Sequence, residues 1–145
     1  MPEHPLDPRH QRPDGASDGA VVAAGKVSEA LEWIERARGR LYDLHQMVGH
    51  ADGLFGEAAE LLAEDGHHEL AASMRREVVG RNVLPGRWTF QVVEEFDDGY
   101  YRTVVDAERR VRDALMDGRR HVHEAELKQR RRTHGRPGHE ATPDG

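Results

Sequence analysis

The chain contains no cysteine, which removes a disulfide framework, a zinc knuckle and a thiol nucleophile at once. Lysine is almost missing as well: Lys26 and Lys128 are the two present, and arginine carries the remaining positive charge. With its Arg, Ala, Gly, Asp and His content, the composition resembles the usage of GC-rich bacterial genomes. Long apolar runs are also lacking. Near the N-terminus the longest uncharged apolar run is AVVAA at residues 20–24. A secretory leader needs about 7–15 apolar residues behind a basic segment, and a membrane span about 20. A soluble, cytoplasmic protein without membrane contact is expected. There is no Gly-rich phosphate loop, no G-x-S-x-G elbow and no H-E-x-x-H. The serines are Ser17, Ser28 and Ser73, none in a nucleophile's setting. An enzyme built on these devices is not expected.

The 145 residues suit one domain. Residues 1–25 hold four of the seven prolines and almost no large apolar side chains, and residues 133–145 hold two more prolines and three glycines. Such segments bury too little to offset the entropy of ordering them. The reading is therefore a disordered tail over 1–25, a helical bundle domain over 26–132 and a disordered tail over 133–145. The net charge of −6 is unevenly spread: residues 1–25 carry −2, residues 26–117 carry −7 and residues 118–145 carry +3. An acidic body repels nucleic acid, so only the C-terminal segment offers it attraction.

What the chain does have is helical periodicity. From Arg87 to Asp117, apolar residues recur at Phe90, Val93, Phe96, Tyr100, Val104, Ala107, Val111 and Leu115. Steps of three and four predict one long helix over Trp88–Asp117. Val27, Leu31, Ile34, Leu41, Leu44 and Val48 predict a first helix over Val27–Gly49, capped by Ser28 or Asp18. GHADG at 49–53 predicts a break, with Asp52 capping a short second helix to Glu64. Gly66 stops that helix, and a third runs from Leu70 to Gly80 or Asn82. Pro85-Gly86 predicts a turn in the loop 82–87. Gly118 either ends the long helix or lets it run on through Val122, Ala125 and Leu127. The fold class is all-α: a small antiparallel bundle of about four helices with one long C-terminal helix.

Four constellations invite a functional reading. Arg81, Asn82, Arg87 and Trp88 pair two guanidiniums with an indole at the start of the long helix, where free amides favour an anion. Arg and Trp are also favoured anchors for a protein partner. Glu60, Glu64, His67 and Glu94 are candidate metal ligands of the kind that carboxylate bundles use for iron, manganese or zinc. Glu64-x-x-His67 needs an unbroken helix, however, and Asp65-Gly66 predicts a break inside it. Glu94, Glu95, Asp97 and Asp98 beside Tyr100 and Tyr101 form an acid/base candidate whose bland counterpart is a solvated helix face. If Glu94 is buried, Arg81 or Arg87 is its expected partner. Finally, Lys128, Arg130, Arg131 and Arg132 form a basic segment able to touch nucleic acid, although it lacks interleaved aromatics for stacking.

The function this supports first is protein–protein interaction, as an adaptor or accessory subunit or through self-association, with no cofactor. Metal binding is the alternative, and nucleic-acid contact through the C-terminal segment is the third reading.

Overall fold

A computed structural model describes residues 6–143; residues 1–5 and 144–145, the outer ends of the two expected tails, lie outside that range. The protein is all-α. Its elements are α1 (Asp18–Glu64), α2 (His68–Glu77), α3 (Thr89–Phe96), a π-helical turn (Asp97–Tyr101), α4 (Arg102–Met116) and α5 (Val122–Arg131), preceded by a 3-10 turn at Pro8–His10. No strand occurs among the described residues, and one isolated antiparallel bridge joins Leu84 to Arg87. The chain divides into two compact units, residues 1–34 with 103–145, and Glu35–Arg102.

α1 corrects the sequence reading twice. It begins at Asp18 rather than Val27, and Ser17 is its cap, the Ser17 Oγ accepting the Ala20 N–H at 3.1 Å. It then runs 47 residues through GHADG without a break, so the two expected helices are one. Glycine in a helix interior costs about 1 kcal/mol but does not compel termination. Proline does, and there is none between Pro13 and Pro85. Asp52 is consequently not a cap. It lies within α1, and its carboxylate accepts the Gly80 N–H at 2.8 Å, closing the chain after α2 back onto α1.

In the unit formed by residues 1–34 and 103–145, the core is Val21, Ala24, Met116 and Val122, with Ala16, Ala20 and Val111 packed against it. The stretch expected as a disordered N-terminal tail thus supplies buried side chains, because small residues let helices approach closely. Gly25 shows how closely: a Cβ there would lie 2.8 Å from His123 Cβ. Arg12 ties the segment before α1 to α5 through Glu126 at 2.7 Å and reaches Asp18 at 2.7 Å. Glu108 is buried and accepts from Ser28 Oγ and Arg112 Nε, each at 3.0 Å. α4 ends at Met116, followed by Asp117 and Gly118 with φ of 51° and 72°. Gly118 therefore ends the helix, and α5 is separate. Beyond α5, where a disordered tail was expected, the described residues close turns through Arg136 N–H to Thr133 O and His139 N–H to Arg136 O.

In the Glu35–Arg102 unit the buried residues are Ala59, Ala71, Thr89 and Val93. Gly66, with φ of 84°, makes the turn between α1 and α2 that its position predicted. Pro85 and Gly86 form the predicted tight turn, with reciprocal backbone hydrogen bonds between Leu84 and Arg87 at 2.9 and 3.2 Å. Gly86 takes a φ of 72°, which the second central position of this turn requires. The long helix expected over Trp88–Asp117 is helical from Thr89 to Met116, but the π-helical turn around Gly99 interrupts its α geometry.

Two glycine substitutions test the packing. Gly25→Ala should destabilise by roughly 1–3 kcal/mol, since His123 Cβ and Cγ, close to the α5 backbone, must give way. Gly39→Ala, with nothing within 4 Å of the added carbon, should stabilise by about 0.5–1 kcal/mol through helix propensity alone. Urea unfolding midpoints of the two variants should move in opposite directions. A gain in both would mean that Gly25 is not in close contact.

Candidate functional site

The most conspicuous surface is on α1. Leu44, Met47, Ala51, Leu54, Ala58 and Leu61 follow one another at steps of three and four along an uninterrupted helix. Met47, Leu54 and Leu61 are 64%, 51% and 65% exposed. The side of α1 that meets its own unit is a different one. There Ala59 is fully buried, His45 Nδ1 shares a hydrogen bond with buried Thr89 Oγ1 at 2.7 Å, and Asp52 holds Gly80. Within the Glu35–Arg102 unit, α1 is thus held along the side of His45, Asp52 and Ala59, while the row from Leu44 to Leu61 keeps its large side chains exposed. With Val48, Phe55 and Leu62 beside it, this three-four row gives α1 an apolar arc wide enough to take a second helix.

This row is not legible once a break is expected at residues 49–53, which divides the series after Met47 and leaves Leu44 in the stripe of Leu41 and Val48. The signal was the undivided series 44, 47, 51, 54, 58, 61.

Near the π-helical turn, α1 and the turn form a closed polar cluster. Arg38 grips Asp97 with both arms of its fork, Nε to Oδ1 at 2.8 Å and Nη2 to Oδ2 at 3.0 Å. Its guanidinium also lies 4.5 Å from the ring centre of Tyr101 and 5.2 Å from that of Tyr42. The Tyr101 hydroxyl donates to Glu35 at 2.6 Å. The hydrogen bonds from Arg38 hold the Asp97 carboxyl below the usual carboxylate range, and the bond to Glu35 pushes the Tyr101 phenol up. Charge meets charge here in a bidentate geometry. The cluster fixes the π-helical turn on α1 at both of its ends.

The residues singled out from sequence are distributed as follows. Arg87 pairs with Glu95 and donates to the Pro85 carbonyl at 2.9 Å, and the pairing lowers the Glu95 pKa. Glu94 is exposed, so the expected buried Glu94–arginine pair is replaced by Arg87–Glu95 on the surface. Trp88 is half-buried, and its N–H donates to Gln91 Oε1 at 2.7 Å, which makes it the entry to α3. Arg81 and Asn82 are exposed. His67 lies beyond the end of α1 and contacts Asp65 at 2.9 Å, because Gly66 breaks the Glu64-x-x-His67 geometry. Glu60, Glu64 and Glu94 are not gathered with it. Among the described residues the metal-capable group is instead Glu32, His121 and Glu124, whose ligand atoms lie within 4.8 Å of one another on the surface. His121 sits at the N-terminus of α5 with a φ of 56°. Lys128, Arg130 and Arg131 occupy the last turn of α5, complementing the negative end of its dipole, and Arg132 reaches Gln129 and the His139 carbonyl. No helix among the described residues is long and apolar enough to cross a membrane.

Compared with family models, curated proteins and solved structures, the chain matches none.

The Arg38–Asp97 pair makes stability depend on pH. Because the folded Asp97 pKa is depressed, its contribution is complete above the unfolded carboxylate value of about 3.9 and is lost as pH falls through the folded value. Asp97→Asn should cost about 1.5 kcal/mol at neutral pH. Chemical denaturation of wild type and variant should show that difference shrinking below about pH 4. A difference constant with pH would mean that the ion pair is not its source.

Proposed function

We propose that this is a small cytoplasmic protein that acts by binding another protein chain through the exposed seam of α1. One observation carries the reading: large apolar side chains at Leu44, Met47, Leu54 and Leu61 stand exposed at helix-pairing spacing, while their own unit buries little beyond Ala59, Ala71 and Val93. A row of this kind on a folded surface marks an interaction site, and an amphipathic helix laid along it would anchor at i, i+3, i+4 and i+7. The closed ion pairs elsewhere and the acidic body support a docking role over catalysis or nucleic-acid contact.

The test is native purification of wild type and of the double variant Met47→Glu/Leu54→Glu, with masses and compositions of the complexes compared. Wild type should emerge in a complex of fixed stoichiometry, with itself or with another chain. The double variant should emerge alone and keep its helical circular dichroism, since both side chains are already solvent-exposed. A wild-type protein that is monomeric and free of any partner would overturn the reading.

A second reading, metal binding, is favoured by the Glu32–His121–Glu124 group. Two carboxylates and one imidazole suit a divalent iron, manganese or zinc ion, with the remaining positions open to water. His10 borders this group: its Nδ1 donates to the Arg120 carbonyl at 2.6 Å and its ring lies edge-on to His121 at 6.1 Å. Titration calorimetry with Zn2+ and with Mn2+ should give one site per chain that His121→Ala abolishes. No heat beyond dilution with either ion would remove this reading.

A further inference from the structure

We infer that the occupant of the α1 seam is a second copy of this chain, paired antiparallel about a two-fold axis passing between residues 52 and 53. The inference rests on the partner-binding reading above and specifies the partner.

The order of side-chain sizes along the seam carries the argument. From Leu44 to Leu61 the series reads Leu, Met, Ala, Leu, Ala, Leu at steps of 3, 4, 3, 4 and 3. Laid against its own reverse, the seam sets Leu44 opposite Leu61 of the other copy, Met47 opposite Ala58, and Ala51 opposite Leu54. The second half repeats these layers by symmetry. Every alanine then faces a large side chain, and large and small alternate across the interface, which is how facing helices fill space without voids. A parallel, in-register pair would instead set Ala51 on Ala51 and Ala58 on Ala58, opening two holes beside crowded Met47 and Leu54 layers, and holes in a packed seam are costly. A seam complementary to its own reverse is what an isologous two-fold contact requires. Few foreign helices would match it layer for layer.

The two flanks differ in kind. One is apolar and sets Val48 against Phe55 of the other copy, while the other brings the His50 imidazole to the Glu57 carboxylate of the other copy on both sides of the axis, a hydrogen-bonding pair. His50 and Glu57 are exposed in the single chain. The same row brings Asp43 to Glu64 at the outer ends, where solvent screens a like-charge contact. All of these residues belong to the Glu35–Arg102 unit, so the pairing needs nothing from the rest of the chain.

The absence of native cysteine allows a direct test. Ala51→Cys and Leu54→Cys are made as separate single variants, reduced, and then oxidised alone or mixed. Antiparallel pairing brings position 51 of one copy next to position 54 of the other, within disulfide reach. The mixture should therefore give a covalent dimer in at least several-fold higher yield than either variant alone. Wild type should sediment at twice 16.4 kDa, and Leu54→Glu at the single mass with unchanged helicity. Efficient linking of each variant to itself would overturn the antiparallel register. Wild type that sediments as a monomer at all concentrations, together with no mixed disulfide between the two cysteine variants, would overturn self-pairing. That result leaves the partner-binding reading to native purification, where a stoichiometric foreign chain lost in the Met47→Glu/Leu54→Glu protein would still sustain it.

Discussion

The structure depends on α1 carrying apolar residues over a wider arc than the Glu35–Arg102 unit covers. A helix with one apolar stripe needs one neighbour, while a helix with two adjacent stripes needs two. In the Glu35–Arg102 unit, Gly80 beyond α2 and Thr89 of α3 bond α1 on the side of Asp52 and His45, and the buried set of the unit is small and alanine-rich. The side of Met47, Leu54 and Leu61 has no such neighbour within the unit. Burial of apolar area is the main favourable term in folding and association. A unit that leaves this much of it in water is built to gain the rest elsewhere.

With so little apolar core, polar contacts set the register of the elements on α1. Asp52 to Gly80, His45 to Thr89, Arg38 to Asp97 and Tyr101 to Glu35 mark four successive points of attachment. Each links α1 to a residue after α2, and together they define which residues of α3 and the π-helical turn face it. Among the described residues, no buried side-chain nitrogen or oxygen lacks a hydrogen-bond partner. Fully satisfied polar contacts specify a single arrangement where a loose apolar surface would permit several. The π-helical turn belongs to this scheme: such turns are sites where a helix changes the side chains it presents, and here both ends of it are bound to α1.

The functional residues follow from the same distribution. Residues that are chemically eye-catching in sequence, such as Arg87, His67 and Asp97, are engaged with near neighbours: Glu95, Asp65 and Arg38 respectively. Unremarkable leucines, a methionine and alanines make the surface with unmet demand. The charged side chains are spent on ion pairs, whereas the unpartnered apolar surface lies in a spacing.

The sequence by itself determined the all-α class, the turn at Gly66, the Pro85-Gly86 turn and the helical run through Val93 and Val104, because these follow from local periodicity and from backbone preferences of single residues. Only tertiary structure decided that α1 continues through Gly49 and Gly53, that Val21 and Ala24 are core, that a π-helical turn surrounds Gly99, and that Glu32, His121 and Glu124 converge. The physical reason is one of scale. A glycine makes a break affordable by about 1 kcal/mol, less than contacts such as Asp52 with Gly80 and the packing of Ala59 can return. Those contacts join residues far apart in the chain, where periodicity and propensity carry no information.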